Sequence, residues 1–203
     1  MARITILYED QADPGGHFGP HELLKRCLVD RLGDVPRWKI EAESRAVPLK
    51  GKEKLLKACR EGRFLAGGGR VVAAFDDDHV RDIPALHLAP SACRPLVRKA
   101  ILNGCPQQDR LVVVFPWRNV EALLATILKC DADLDADLVP DELRDRVGGL
   151  RHLDINERDI ILRRAANAAS SLLDRLFERL PALEYLVRKI HEAWVAETVG
   201  GCG

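Results

Sequence analysis

The chain has 203 residues, of which 47% are hydrophobic and 31% are charged, a composition typical of a folded globular protein and not of a disordered or fibrous one. This length allows one domain with a full hydrophobic core, with or without a helical extension. The 31 basic and 31 acidic side chains leave no formal net charge, which argues against a non-specific basic coat for nucleic acid.

Cysteine usage and hydropathy indicate the compartment. The six cysteines form no Cys-x-x-Cys pair, which favours reduced thiols over a disulfide framework. The first residues lack the long apolar segment of a secretory signal, and no stretch approaches the roughly 20 apolar residues of a membrane-spanning helix. We therefore expect a cytoplasmic protein without membrane association.

Apolar strands and amphipathic helices alternate from the first residues onward. Residues 3–8 (RITILY) predict a buried strand that ends at Glu9, and a helix is predicted at about 20–32 after a loop rich in proline and glycine. A second strand is predicted at 38–47 and a second helix at 51–60.

Two further pairs of strand and helix follow. Residues 70–75 (RVVAAF) and 111–115 (LVVVF) predict strands, and helices are predicted at 93–103 and 119–129. Three of the four strands are continuous apolar runs, as expected where helices cover both faces of a sheet. Residues 1–130 are therefore predicted to form an α/β domain, with a parallel sheet of about four strands flanked by helices.

The sequence changes character after Cys130. Residues 131–145 are rich in aspartate and glutamate, and an apolar stripe with helical spacing then runs from Ile161 to Leu180. Pro181 interrupts this stripe before a last predicted helix. Residues 131–203 are thus predicted to be an acidic linker with a helical C-terminal extension, which packs on the sheet or forms a homo-oligomer with a second copy of the chain.

Two predicted strands end in acidic side chains, at Glu9 and at the triplet Asp76, Asp77 and Asp78. Sites in parallel α/β sheets form beyond the carboxyl ends of the strands. Side chains alternate in an extended segment, so Asp76 and Asp78 should point the same way, roughly 6.5–7 Å apart, and Asp77 should point away. Such carboxylates suit magnesium or manganese, and without a cation they would raise one another's pKa.

The order of these acids resembles the Toprim domain of topoisomerases, primases and OLD-family nucleases. Glu9 and Asp13, within EDQAD, stand at the spacing of the Glu-Gly-x-x-Asp motif of many nuclease members. Asp76 and Asp78, within FDDDH, match the Asp-x-Asp motif. The resemblance covers about residues 3–130.

Other positions agree with this resemblance or depart from it. Lys50-Gly51-Lys52 before the second helix, and Glu121 in the helix after strand four, are similar to small stand-alone Toprim proteins. Asp10 stands where glycine is usual, and Arg81 stands where several of these families have glycine.

The resemblance implies metal-dependent phosphodiester hydrolysis of DNA or RNA by a nuclease or nuclease subunit, with Mg²⁺ or Mn²⁺ as cofactor. Many small Toprim proteins are encoded with, or fused to, ATPases of the ABC or AAA type, often in anti-phage defence systems. An ATPase partner is therefore expected. The implied roles are acid/base or metal ligand for Glu9, metal ligands for Asp76 and Asp78, a second ion for Asp13 and Glu121, and phosphate contacts for Lys50 and Lys52.

Simpler interpretations of the same residues remain open. The Asp76–Asp78 triplet also fits a solvated turn, Asp13 the start of a turn, and Glu121 an acid favoured by the helix dipole. Lys50 and Lys52 also fit a solvated helix face. Two other functions stay open, namely a non-catalytic binding module with a degenerate Toprim fold and a receiver-like phosphoacceptor domain.

Overall fold

The computed structural model describes residues 3–9, 19–33, 35–62, 64–65, 69–78, 80–134 and 155–200. No helix within these ranges is long and apolar enough to cross a membrane. The described strands are β1 (Ile4–Glu9), β2 (Ser44–Leu49), β3 (Arg70–Ala74) and β4 (Leu111–Val114). The described α-helices are α1 (Pro20–Leu32), α2 (Arg37–Glu43), α3 (Lys52–Glu61), α4 (Arg94–Leu102), α5 (Val120–Leu134), α6 (Ile155–Asn167), α7 (Ser170–Arg179) and α8 (Pro181–Gly200).

The four strands form one parallel sheet in the order β2-β1-β3-β4. In β1, Ile4 lies opposite Ser44 of β2 and Arg70 of β3. Because every strand runs in the same direction, all four carboxyl ends meet at one edge of the sheet. The predicted α/β fold with a four-stranded parallel sheet is confirmed.

Helices cover both faces of this sheet, as the apolar strands predict. Strand alternation sends Ile6 and Tyr8 of β1 into one core and Leu7 into the other. The core around Leu7 is closed by α3 and α4, with Leu55 of α3 and Ile101 of α4 fully buried. The other core lies under α1, α5 and the three C-terminal helices.

The C-terminal helices pack on the sheet, which confirms one of the two predicted arrangements. Helix α8 contacts β1, β3 and β4, and α6 packs between α1 and α5. An ion pair of 2.5 Å between Arg164 and the buried Asp131 also connects α6 with α5. The apolar stripe is divided into α6 and α7, because the backbone at Ala169 is extended (φ −65°, ψ 158°).

The prediction of a second strand at 38–47 is wrong for the first half of that range. The segment Arg37–Glu43 is helix α2, and β2 begins only at Ser44. The alternation of apolar and polar residues here resembles a strand, but in the helix Ile40 is buried while Trp38 is 68% exposed. Pro36 precedes the helix with φ −66°, and its carbonyl accepts the first hydrogen bonds of the helix.

Candidate functional site

The acidic triplet lies beside the segment that follows β4. The backbone N–H of Asp77 donates to the carbonyl of Trp117 at 3.2 Å, and that of Asp78 donates to the carbonyl of Arg118 at 3.0 Å. The chain after β3 therefore remains paired with the chain after β4 beyond the ends of both strands. This backbone pairing holds the aspartates at the carboxyl edge of the sheet.

A cavity of about 320 Å³ opens at this edge. Side chains from β1, from the triplet and from α5 and α6 surround it. Its lining residues are Glu9, Gly51, Asp76, Asp78, Asn119, Val120, Glu121 and Arg158. The structure thus brings four of the carboxylates singled out in the sequence to one cavity. Glu9 and Asp76 are neighbours within it, since Glu9 Oε1 accepts a hydrogen bond of 3.2 Å from the backbone N–H of Asp76.

Two residues after β4 bind the aspartates. The indole Nε1 of Trp117 donates to Asp76 Oδ1 at 2.6 Å, and Nδ2 of Asn119 donates to Asp78 Oδ2 at 3.0 Å. The Oδ1 of Asn119 accepts from the backbone N–H of Ala122 at 2.9 Å, so the same side chain caps the start of α5. These hydrogen bonds fix the orientation of both carboxylates.

Burial dominates the electrostatics of the cavity. It raises the pKa of Glu9 to about 7, against the lowering effects of the Asp76 N–H and of the nearby Lys52 ammonium. It also raises the pKa of Asp76 to about 8, with a further contribution from the charge of Glu9, although the Trp117 hydrogen bond lowers it. Both side chains are therefore more readily protonated than ordinary carboxylates when no cation is bound, Asp76 more so than Glu9.

Asp77 points away from this cavity, as alternation in an extended segment predicts. Its Oδ2 accepts hydrogen bonds from Nε and Nη2 of Arg94 at 3.1 and 2.8 Å, and its Oδ1 accepts from Arg81 Nη1 at 3.4 Å. Arg81 also donates to the carbonyl of Ala92 at 2.7 Å. The arginine that departs from the Toprim pattern is thus a structural partner of Asp77.

The remaining predicted residues occupy different positions. Lys52 is the first residue of α3, and its positive charge lowers the pKa of Glu9. Lys50 follows β2 and is exposed. Glu121 lies in the first turn of α5 and lines the cavity. Asp13 and Asp10 lie outside the described residues.

Sequence reasoning missed three residues of the site. Trp117 and Asn119 follow β4 just as the acids follow β1 and β3, so the same rule of strand ends could have identified them. Arg158 comes from α6 and donates through Nη2 to Glu121 Oε1 at 3.1 Å. No local pattern around Arg158 connects it with the sheet.

The carboxylates of the cavity can supply only some of the ligands that a cation needs. Within the described ranges, no three His, Cys, Asp or Glu side chains are arranged closely enough to hold a metal ion between them. A closed cage of carboxylates therefore does not fit. The half-buried carboxylates of Asp76 and Asp78 do fit a magnesium-like ion bound by one or two carboxylates, with water as the other ligands.

Comparisons of the chain with protein-family models, with curated proteins and with solved structures gave no significant match. The resemblance to Toprim domains therefore stays a prediction from the motif residues and their order in the sequence.

Proposed function

We propose that this chain is a metal-dependent phosphodiester hydrolase of the Toprim nuclease kind, acting on DNA or RNA. One observation carries the proposal. Glu9 and Asp76, from the ends of two adjacent strands, lie together in a cavity that raises both of their pKa values, and Asp78 lies beside them. Grouping half-buried carboxylates in this way is unfavourable without a cation, and such groups are typical of functional sites.

The acids have two roles in the proposed reaction, binding of the ion and transfer of a proton. A bound Mg²⁺ or Mn²⁺ ion would neutralise the scissile phosphate and lower the pKa of an attacking water. Asp76 and Asp78 would hold the ion, with their orientation fixed by Trp117 and Asn119. Glu9, whose pKa is about 7 in the metal-free protein, would accept the proton of the water, since a general base acts best near the working pH.

The test is cleavage of plasmid DNA and of single-stranded DNA and RNA, by the chain alone and with any co-encoded ATPase of the ABC or AAA type. We expect cleavage with Mg²⁺ or Mn²⁺, little with Ca²⁺, and none with a chelator. Asp78→Asn should weaken metal binding and cleavage together. Glu9→Gln should abolish cleavage with a smaller loss of metal affinity, because Glu9 acts mainly on the proton.

Asp77→Asn is the matched control. Asp77 lies between the proposed metal ligands Asp76 and Asp78 in the sequence, but its carboxylate binds Arg81 and Arg94 instead. The variant should keep cleavage but lower the melting temperature, since it weakens the contacts with Arg81 and Arg94. Loss of cleavage in Asp77→Asn, with Asp76→Asn and Asp78→Asn still active, would show that the wrong face has been assigned. Absence of cleavage under all these conditions would favour the second function below.

The second candidate is a non-catalytic binding module with a degenerate Toprim fold. It is favoured by the protein donors already present at each acid of the cavity, namely the Asp76 N–H for Glu9, Trp117 for Asp76, Asn119 for Asp78 and Arg158 for Glu121. For this module, addition of Mg²⁺ should leave the melting temperature unchanged.

A further inference from the structure

Arg158 is the only cation among the described residues that line the acidic cavity. It comes from α6, outside the residues 3–130 that resemble a Toprim domain. Helix α6 is fixed beside the site by its packing against α1 and α5 and by the Arg164–Asp131 ion pair. The C-terminal region therefore delivers a guanidinium to the carboxylates at the end of the sheet.

Only some of the N–H donors of the Arg158 guanidinium have a hydrogen-bond partner in the described structure. Its Nη2 donates to Glu121 Oε1 at 3.1 Å, and its Nε is shielded from solvent without a hydrogen-bond partner in the described structure. A guanidinium carries five N–H donors in a planar fork that matches two oxygens of a phosphate. The side chain is 29% exposed, so a ligand in the cavity can reach it.

We propose that Arg158 is the phosphate-binding residue of this cavity, where it binds nonbridging oxygens of a nucleic-acid phosphodiester. This inference rests on the proposed function, because that function gives the substrate class. Glu121 holds the guanidinium in place by their ion pair. The Toprim resemblance assigns the Glu121 carboxylate to a second ion, but here that carboxylate binds Arg158. The cavity therefore holds one divalent ion and one arginine.

The experiment measures binding separately from cleavage. A short fluorescein-labelled single-stranded DNA, and RNA of the same sequence, are titrated with the full chain in Ca²⁺, and binding is followed by fluorescence anisotropy. Arg158→Gln should weaken binding about 10- to 100-fold, as expected for loss of a charge-assisted hydrogen bond. It should also reduce the slope of log K against log salt by about 0.7, the value for one phosphate contact on a single strand. Arg158→Lys should keep the slope and part of the affinity.

The matched control is Arg163→Gln, which removes an exposed arginine of the same helix that does not line the cavity. It should bind like the wild type. A titration with Mn²⁺ followed by electron paramagnetic resonance should give one bound ion per chain in the wild type and in Arg158→Gln. This result would show that the variant keeps its metal site and fold.

The outcomes separate the two proposals. Wild-type affinity and salt slope in Arg158→Gln would overturn the role of Arg158, even if the wild type cleaves nucleic acid. Two Mn²⁺ ions per chain in the wild type would overturn the assignment of Glu121 to the arginine. A wild type that binds the probes through Arg158 but cleaves neither would support the inference and refute the hydrolase.

Discussion

At the scale of single residues, the structure groups half-buried acids around one cavity. Burial raises the pKa of both Glu9 and Asp76, and neighbouring charges add to it, that of Asp78 at Glu9 and that of Glu9 at Asp76. A group whose pKa is raised by folding binds more protons in the folded state than in the unfolded state. Its contribution to stability is present at low pH and is lost as pH rises through the folded pKa.

We therefore predict that the metal-free protein loses stability as pH rises from about 4 to about 8, because Glu9 (pKa about 7) and Asp76 (pKa about 8) must then lose protons in the folded state. Urea denaturation at about pH 5 and at about pH 8.5, with chelator, measures this change. Mg²⁺ should restore stability at the higher pH and have little effect at the lower one, where protons compete with the ion.

The double variant Glu9→Gln/Asp76→Asn is the control for this prediction. It should show a flatter pH dependence and no stabilisation by Mg²⁺, since neither side chain can be ionised. If the wild type and the double variant share one pH profile, the two carboxylates are already charged in the metal-free protein.

Most residues of the site could be predicted from the sequence, because sites in parallel sheets form beyond the carboxyl ends of the strands. Glu9, Asp76 and Asp78 follow apolar strands, and parallel pairing brings such positions to one edge. Arg158 could not be predicted in this way, since tertiary packing of α6 places it at the cavity. The Glu121–Arg158 pair joins residues 37 positions apart in the chain, across different helices.

At the scale of elements, both the backbone conformation and the packing at the end of α3 require glycine at position 62. Gly62 ends the helix with φ +65°, in the left-handed region that favours glycine. A Cβ atom at Gly62 would lie 2.3 Å from Cγ of Pro106. Gly33, at the end of α1, also has a positive φ of +54°, but a Cβ there would meet no atom within 4 Å.

We predict that Gly62→Ala destabilises the protein more than Gly33→Ala. Both variants place an alanine at a positive φ, and at Gly62, where ψ is 9°, this left-handed conformation costs about 1–2 kcal/mol. Gly62→Ala must also displace the Pro106 ring, and overpacking of this kind adds about 1–3 kcal/mol. Urea denaturation of both variants measures the difference. Equal losses would mean that the ring moves aside freely.

Element boundaries also show where sequence patterns are insufficient. Apolar runs such as residues 70–75 identify buried strands directly, because both of their faces lie under helices. Residues 37–43 show a mixed alternation that fits a strand as well as a short helix, and tertiary packing of Ile40 decides between them. The break at Ala169 likewise has no local signal in the sequence, since alanine favours helix.

At the scale of the whole molecule, the C-terminal helices form part of the main core. Leu172 of α7, together with Leu186 and Ile190 of α8, belongs to the same buried cluster as Ile4 and Ile6 of β1. Helix α8 covers three of the four strands. One face of the sheet is therefore completed only by residues far along the chain from the strands themselves.

We predict that a variant ending at Gly149 aggregates, because it exposes the apolar face that α6, α7 and α8 cover. Size-exclusion chromatography with light scattering measures this outcome. A point variant tests the same contact, as Leu186→Ala should lower the free energy of unfolding by about 2–5 kcal/mol. Val195→Ala, at a 44% exposed position of the same helix, should stay within about 0.5 kcal/mol. A shortened chain that remains monomeric and equally stable would refute the prediction.

The position of α8 across the first strands also affects how the protein is made. On the ribosome, β1 to β4 emerge before α8, and 60 positions separate Leu134 of α5 from Trp194 of α8. At about 5–20 residues per second, this interval lasts about 3–12 s. During this time the apolar residues that α8 covers in the finished protein remain exposed, and we expect chaperones to bind them. The acidic residues of the strand ends are synthesised before Arg158, so the nascent chain gains its arginine only late in translation.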